Sequence, residues 1–207
     1  VGVLFMQVKH FTTADIKEAS RLTFLTWKEE MQLPNVKLQK LLYEAMVRYY
    51  FRNQNLSFKL QDDKGMQGFL LAAKVSDAIT DYDWLERALE KFTRSEKELV
   101  YKYLRYLDYN GKQIYELAQK DDILLCLFLS RKSGGGSRLL ANLENTVQTM
   151  AGVNLYLWAD ITCDYKYYLH HGYQVIKKFT NRELLTELGE QKTWIYKKKC
   201  KIFPNNF

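Results

Sequence analysis

The sequence predicts an α+β, or mixed α/β, fold in which helices flank one mixed, mostly antiparallel sheet. Two apolar segments, 56–60 and 66–75, flank the polar turn Gln-Asp-Asp-Lys-Gly, which is the pattern of an antiparallel hairpin. Residues 123–129 are wholly apolar, as expected of a strand that is covered on both faces. Helical patterns separate the later strands, so the sheet is expected to be mixed rather than purely antiparallel.

The first part of the chain is predicted to contain a short strand and two helices before this hairpin. Thr12 or Thr13 caps the first helix, because a threonine oxygen can accept the free amides of a first turn. Pro34 ends that element. Apolar residues recur at helical spacing in the second helix. The predicted elements are a strand at 7–12 and helices at 16–31 and 36–52.

Residues 76–120 are charged, rich in tyrosine and helical in pattern. Ser95 and Glu98 have the spacing of a capping box, and Asn110-Gly111 is predicted to break a helix. We interpret 76–120 as a helical insertion between the third and fourth strands of a single domain, 1–207. The insertion covers a sheet edge or forms a wall of the site. Its predicted helices are 82–92, 95–107 and 112–119.

The last part of the chain alternates between predicted strands and helices. Each strand candidate is apolar, and the helix candidates between them are amphipathic or short. The predicted order is a strand at 123–129, a glycine turn, a helix at 139–150, a strand at 154–159, a helix at 163–170, and strands at 173–179 and 193–199.

The net charge of +7 lies mostly at the C-terminal end of the chain. From Gln174 onward there are eight Lys or Arg and three Glu, so this end carries +5. A run such as Lys197–Lys199 is usually a solvated strand end. We therefore do not expect nucleic acid as the partner, and a nucleic-acid binder that uses this end is kept only as a third alternative.

The cysteines and the apolar segments bear on the cellular compartment. The three cysteines lie far apart without a CxxC pair, which favours free thiols in a reducing compartment. No apolar run approaches the roughly 20 residues that span a bilayer. The apolar N-terminal segment is too short for a signal peptide. We therefore expect a cytoplasmic protein that does not use a membrane.

Residues 131–138 read Arg-Lys-Ser-Gly-Gly-Gly-Ser-Arg and join the apolar strand to an amphipathic helix. A strand, a glycine turn and a helix start in this order direct free backbone amides at an anion, so we expect a phosphate or pyrophosphate ligand. No Lys-Ser or Lys-Thr follows the glycines, which excludes the P-loop of nucleotide hydrolases. Leu139 stands where a dinucleotide-binding loop has its third glycine, which counts against that fold.

The pattern Arg131-x-x-Gly134-x-Gly136 between strand and helix resembles the acyl-CoA motif of the GNAT N-acetyltransferase superfamily. Further along, Tyr168-Leu-His-His-Gly172-Tyr resembles the segment of that family in which a tyrosine precedes a Gly-aromatic pair and a strand. The resemblance covers 123–179. It implies the family's central sheet with flanking helices, and it leaves the insertion as a feature of this chain.

The resemblance also implies a binding site for acetyl-CoA, as co-substrate, and no metal. The amides of 131–137 and the following helix start would bind the pyrophosphate, and Lys132 or Arg138 would meet the 3′-phosphate. Backbone groups near 127–129 would pair with the pantetheine arm, and one amide there would polarise the thioester carbonyl. The residues assigned to acetyl-CoA are Leu127, Phe128, Leu129, Arg131, Lys132, Gly134, Gly135, Gly136, Ser137, Arg138 and Asp164.

The same resemblance implies that Tyr168 protonates the departing CoA thiolate, with Tyr165 or Tyr167 as the alternatives. Asp160, Asp164 or a chain of water molecules would take the proton of the attacking amine.

The implied function is transfer of an acetyl group from acetyl-CoA to a primary amine by direct attack. The acceptor, a small molecule or a peptide, stays open because the first two helices, the insertion and the last strands carry no readable motif. The alternative is a non-catalytic CoA-binding or protein-interaction module on the same fold. A homodimer is left open.

Overall fold

Seven strands form one sheet in the part of the chain that the computed structural model describes, residues 6–30, 33, 35–78, 82–150, 152–183 and 189–200. The strand order is β1-β2-β3-β4-β5-β7-β6. The strands are β1 (Gln7–His10), β2 (Phe58–Asp62), β3 (Gly65–Lys74), β4 (Ile123–Ser130), β5 (Asn154–Asp160), β6 (Gln174–Asn181) and β7 (Gln191–Lys199). The helices are α1 (Ile16–Trp27), α2 (Val36–Tyr50), α3 (Tyr82–Leu89), α4 (Arg94–Tyr115), α5 (Gly135–Gln148) and α6 (Tyr167–His170).

Strands β4 and β5 run parallel, whereas the other neighbouring strands pair antiparallel. Among the described residues, β4 and β5 pair at two positions, Ile123 with Leu155 and Leu124 with Tyr156. The rest of β4 stays paired with β3, and the rest of β5 stays paired with β7. The carboxyl ends of β4 and β5 therefore separate and leave a gap inside the sheet.

A β-bulge lies in β4 where this separation begins. Ala72 of β3 faces Leu125 and Leu71 faces Leu127, so Cys126 is the extra residue of β4. As a result Cys126 and Leu127 both lie on the face covered by α1, α2 and α4, although neighbouring strand residues normally alternate. The bulge redirects the end of β4 before the glycine loop.

Two hydrophobic cores cover the two faces of the sheet. On one face, α1, α2 and α4 bury residues such as Leu22, Leu42 and Val100. On the other face, α5 buries Leu139 and Leu143, among others, at the spacing of one helical stripe. Because the sheet is covered on both faces, its central strand β4 is apolar along its length, as the sequence predicts.

The predicted fold class is confirmed, since one mixed and mostly antiparallel sheet lies between helices. The predicted strands begin and end within two residues of the observed ones. Helix α1 ends at Trp27 rather than at Met31, and Met31 and Pro34 lie outside the described residues. The N-cap of α1 is Asp15 and not Thr12 or Thr13; Thr12 is the N-cap of a short 3-10 turn, Thr13–Asp15, that leads into α1, and its amide and hydroxyl both donate to the Asp15 carboxylate.

The prediction for the insertion was wrong in two details. One helix, α4, runs through Asn110-Gly111 to Tyr115, where two helices ending at 107 and 119 were predicted. The pair does not break the helix because Asn110 is buried and accepts a hydrogen bond from Asn181, so tertiary packing outweighs local propensity. The capping box is formed by Thr93 and Glu96 and not by Ser95 and Glu98.

Two other predicted helix starts were also wrong. Helix α5 begins at Gly135 and not at Leu139, because Gly134 adopts the left-handed conformation (φ 71°) and starts the helix directly after the turn. Helix α6 is the single turn Tyr167–His170, whereas a helix from 163 was predicted.

The three cysteines are free thiols. None of the helices in the described ranges is long and apolar enough to cross a membrane.

Gly135 and Gly111 give opposite predictions for stability. A Cβ at Gly135 would lie 2.5 Å from both Leu60 Cδ2 and Ser130 Oγ, so Gly135→Ala should lower the unfolding free energy by about 1–3 kcal/mol. A Cβ at Gly111 meets nothing closer than 3.7 Å, so Gly111→Ala should raise it by about 0.5–1 kcal/mol. Denaturant titration measures both changes. Equal effects of the two substitutions would contradict the packing described here.

Candidate functional site

The gap between β4 and β5 opens into two adjoining cavities with shared walls. We call the one beside the glycine loop, of about 330 Å³, the outer cleft. The other, about 110 Å³, lies beneath the insertion and is called the inner cavity. Both are bordered by Trp27, Phe128, Thr162, Cys163 and Tyr168. A ligand that lies in the outer cleft can therefore reach the inner cavity past these five residues.

The glycine loop presents free backbone amides to the outer cleft. Gly134 turns the chain through the left-handed region, and α5 begins at the next residue. Within the described part of the chain, the amides of Gly136 and Ser137 donate to no carbonyl, and the same holds for those of 132–134. Amides at a helix start, together with the helix dipole, form an anion site. The loop can therefore hold a phosphate group.

Two predicted amide donors are already used inside the protein. The Arg131 amide donates to the Gln67 carbonyl at 2.9 Å, and the Gly135 amide donates to the Lys132 carbonyl at 3.0 Å. Gly135 is also buried between Leu60 and Ser130. These two residues shape the loop and do not offer amides to a ligand in this conformation.

The remaining loop residues differ in their access to the outer cleft. Gly136 borders it, and a Cβ there would lie 3.2 Å from the Phe128 ring and 3.3 Å from the Tyr167 hydroxyl, so only glycine keeps this part open. Lys132 and Ser137 also border the cleft. Arg138 is exposed and donates to the Met6 carbonyl at 3.2 Å, away from the wall of the cleft. Lys132 is therefore the better placed of the two predicted phosphate-binding cations.

The end of β4 supplies an unpaired strand edge to the gap. Leu127, Phe128 and Leu129 pair with β3 on one side, and the parting of β5 leaves their other side without a strand partner among the described residues. The Phe128 ring borders both cavities, while Leu127 borders the inner one. Asp164 also borders the outer cleft. An extended ligand could pair with this edge as a strand does.

Tyr168 is the predicted tyrosine that borders both cavities. Its hydroxyl has no hydrogen-bond partner in the described ranges, and its ring packs against Tyr173 and Tyr196. Burial raises the pKa of Tyr168 well above its usual range, so the phenol stays protonated at neutral pH. Tyr165 instead stacks on Trp194 with ring centroids 4.3 Å apart.

Tyr167 lies only on the outer cleft. Its ring stacks on His171 with centroids 4.0 Å apart, and its hydroxyl is 3.4 Å from the Ser137 hydroxyl. His171 in turn hydrogen-bonds the Tyr167 carbonyl through Nδ1. These contacts fix the short helix α6 against the glycine loop. Of the three predicted tyrosines, Tyr168 is the one that borders both cavities.

Asp160 lies in the wall of the inner cavity and is buried. One oxygen accepts a short hydrogen bond from the Tyr106 hydroxyl. The other accepts from the Thr162 amide at 3.0 Å and the Thr162 hydroxyl at 2.7 Å. Three donors therefore already occupy this carboxylate, which leaves it little room to accept a hydrogen bond from a ligand.

Glu30, which the sequence did not point to, also borders the inner cavity. Loss of solvation and, next, the negative charge of Asp160 raise the pKa of Glu30 to about 7. A carboxylate of this pKa takes up and releases a proton near neutral pH. Glu30 follows α1 directly after two other charged residues, a pattern typical of an exposed helix end, so no local signal distinguishes it.

The insertion forms one wall of the inner cavity, as one of the two sequence interpretations proposed. Helix α4 contributes Tyr103, Tyr106 and Leu107. It is fixed by Asn181 of β6, whose amide donates to the Asn110 side chain at 2.7 Å and to the Tyr106 carbonyl at 3.2 Å. Asn110-Gly111, which was predicted to break a helix, thus takes part in the contact that holds α4 against the inner cavity.

Two further features of the described ranges concern metal binding and thiol chemistry. No group of three or more His, Cys, Asp or Glu side chains there is arranged to hold a metal ion. Burial, and then the charge of Asp160, raise the pKa of Cys163 well above its usual range, so this cavity thiol is protonated at neutral pH.

No family model matches the chain, and no curated protein sequence matches it. Solved structures do match. The ribosomal-protein-S18-alanine N-acetyltransferase from Escherichia coli is 11% identical, with 98% of this chain and 99% of that chain covered and a TM-score of 0.52. Arylalkylamine N-acetyltransferase 2 from Aedes aegypti is 12% identical over 95% of this chain and 99% of that chain, with a TM-score of 0.56.

A third similar structure is the C-terminal condensation domain of Ebony in complex with beta-alanyl-dopamine. It is 10% identical over 95% of this chain and 100% of that chain, with a TM-score of 0.62. At these identities the likeness concerns the fold. The strand order and the separation of β4 from β5 agree with these matches. Together they show that the chain has the GNAT acetyltransferase fold.

Proposed function

We propose that the protein is an N-acetyltransferase that transfers the acetyl group of acetyl-CoA to a primary amine. One observation carries the proposal. Tyr168 borders both the outer cleft, which has free amides, and the inner cavity, which has two carboxylates. The first cavity suits an anionic donor and the second a cationic acceptor, so Tyr168 lies where the two would react.

The donor end of the site is supported by the loop and the β4 edge. The amides of Gly136 and Ser137, at the positive end of α5, would bind the pyrophosphate, with Lys132 beside them. The unpaired edge at 127–129 would hold the pantetheine arm, and Asp164 borders the same cleft. Acetyl-CoA supplies the activated thioester, and these residues orient it toward the inner cavity.

The acceptor end provides groups that can move the two protons of the reaction. The amine nitrogen bonds to the acetyl carbon while the carbon–sulfur bond breaks. Glu30, with a pKa of about 7, would take the proton that the amine loses. Tyr168 would donate its phenolic proton to the departing thiolate. Asp160, already bonded to three donors, would act as a positioning residue beside Glu30.

The alternative is a CoA-binding or protein-interaction module that has kept the fold without the reaction. The observation in its favour is that the fold also serves a condensation domain, so it does not fix the activity. The two candidates differ in whether bound acetyl-CoA loses its acetyl group to an amine.

Substitution of Tyr168 tests the proposed reaction. Tyr168→Phe should lower kcat about 100-fold, because the thiolate loses its proton donor, while the Kd for acetyl-CoA stays unchanged. Release of free thiol across a panel of amines measures transfer, and calorimetry measures binding. Tyr165→Phe is the matched control and should keep full activity, since that ring is stacked away on Trp194. Binding of acetyl-CoA without transfer to any amine would support the alternative instead.

The pH dependence of the rate tests the role of Glu30. In the unsubstituted protein kcat/KM should rise with pH and level off above about pH 7, because the base is active only when deprotonated. Asp160→Asn should move the midpoint to lower pH, since it removes the neighbouring negative charge that raises this pKa. Glu30→Gln should abolish the rise and lower the plateau about 100-fold.

Glu29→Gln is the control for this experiment, because Glu29 is not among the residues that border the inner cavity and it pairs with Lys28 at the surface. Its profile should match that of the unsubstituted protein. A rise near pH 7 that persists in Glu30→Gln would assign the titration to another group.

A further inference from the structure

Three hydrogen-bonding side chains connect the wall of the outer cleft to a histidine. The Ser137 hydroxyl lies 3.4 Å from the Tyr167 hydroxyl and 3.3 Å from His171 Nε2. Ser137 and Tyr167 border the outer cleft, and the half-buried His171 stacks on the Tyr167 ring. We call these three side chains the Ser137 network. It reaches the phosphate site, because Ser137 also contributes one of the free amides of the loop.

The backbone decides which nitrogen of a neutral His171 carries the hydrogen. Nδ1 lies 2.9 Å from the Tyr167 carbonyl oxygen, which can only accept a hydrogen bond. Nδ1 therefore carries the hydrogen, and Nε2 of the neutral ring is an acceptor. The Ser137 hydroxyl donates to this nitrogen and in turn accepts from the Tyr167 hydroxyl. Both hydroxyl hydrogens are then used inside the protein and are not offered to a ligand.

A second hydrogen on His171 reverses these hydrogen bonds. Both nitrogens of the imidazolium donate, so Nε2 donates to the Ser137 oxygen instead of accepting from it. The Ser137 hydrogen is released and can turn toward an anion in the outer cleft, beside the free amides of the loop. The imidazolium also adds a positive charge beside the first turn of α5, where the helix dipole already favours an anion.

The groups around His171 leave this change of charge to the ring itself. Lys198 of β7 donates to the His171 carbonyl at 2.8 Å and to the Glu144 carboxylate at 2.7 Å, so these two opposite charges pair with each other. Among the residue types present, histidine is the one whose charge ordinarily changes between pH 5 and 8. The remaining titratable groups near the network are Tyr167, whose pKa is raised by burial, and, at the cleft, Lys132 and Asp164.

We propose that the glycine loop binds pyrophosphate more tightly when His171 is protonated, and that His171 acts through the Ser137 hydroxyl. This inference rests on the proposed function, because it concerns the regulation of the same donor site. His171 is a positioning residue, since it reaches the anion through another side chain. Binding and protonation are linked in both directions, so bound pyrophosphate also holds the proton on the ring. The affinity for the donor therefore falls as the pH rises through the titration of His171.

Calorimetry with dephospho-CoA in the absence of an amine tests the proposal. The 3′-phosphate of CoA itself changes charge near pH 6, whereas dephospho-CoA lacks this group and its pyrophosphate keeps its charge. The unsubstituted protein should bind dephospho-CoA about tenfold more tightly at about pH 5.5 than at about pH 8, the effect of one charge-assisted hydrogen bond. Because Glu30 also titrates in this range, the comparison between variants decides the origin of the change.

Substitutions in the Ser137 network separate its members. His171→Gln cannot titrate but keeps an amide that can donate to Ser137, so its affinity should change less than about twofold between the two pH values. Ser137→Ala keeps the backbone amide and should lose most of the pH dependence, because no hydroxyl is left to redirect. His170→Gln is the matched control, since His170 is the adjacent, exposed histidine, and it should keep the full change. Thermal unfolding curves verify that each variant is folded.

Proton NMR of the histidine rings gives an independent readout. The protein has three histidines, and the two glutamine variants identify the signals of His170 and His171. Dephospho-CoA should move the titration of the His171 signal to higher pH and leave that of His170 in place, as linkage requires. A His171 signal that does not respond, or a tenfold change of affinity that persists in His171→Gln, would overturn the inference. Full pH dependence in Ser137→Ala would overturn the route through Ser137.

The remaining outcomes separate this inference from the proposed function. Equal affinity at both pH values in the unsubstituted protein would overturn the inference and leave acetyl transfer standing. The expected pH dependence without transfer from acetyl-CoA to any amine would support the inference and contradict the proposed function. An absence of binding at both pH values would overturn both, because it removes the donor site.

Discussion

The separation of β4 from β5 after Leu124 is the constraint on which the site depends. A strand in the middle of a sheet normally has both edges paired, and here one edge of β4 is free from the point where β5 departs. The bulge at Cys126 turns the end of β4, and the glycine loop follows at once. One local break in pairing therefore creates the outer cleft, the inner cavity and the passage between them.

The electrostatics of the inner cavity depend on the insertion. Helix α4 supplies the Tyr106 hydroxyl that donates to Asp160. Asn181 fixes the same helix, because its side chain donates to the Tyr106 carbonyl and to the Asn110 side chain. Asp160 in turn contributes to the raised pKa of Glu30. A segment that is separate from the sheet thus forms part of the wall of the inner cavity and bonds the carboxylate that contributes to the raised pKa of Glu30.

Local patterns in the sequence pointed to the glycine-loop half of the candidate site, whereas tertiary packing hid the half that borders the inner cavity. The loop around Gly134 and the segment around Tyr168 are short and contiguous, so their patterns are readable in the sequence. Glu30 becomes distinctive through loss of solvation and through the charge of Asp160, 130 residues away in the chain, which both raise its pKa. Asn110-Gly111 was misread as a break for the same reason, since burial against Asn181 decides its conformation.

The central claim is that acetyl-CoA binds in the gap between β4 and β5, at the glycine loop. Amide hydrogen exchange during titration with acetyl-CoA tests this claim most directly. The amides of Gly136 and Ser137, free in the protein alone, should become protected. Those of Arg131 and Gly135, already bonded to carbonyls, should change little. Gly136→Asp should abolish the protection, because it places a negative side chain in the phosphate site. Protection confined to other parts of the chain, or equal protection in Gly136→Asp, would contradict the account.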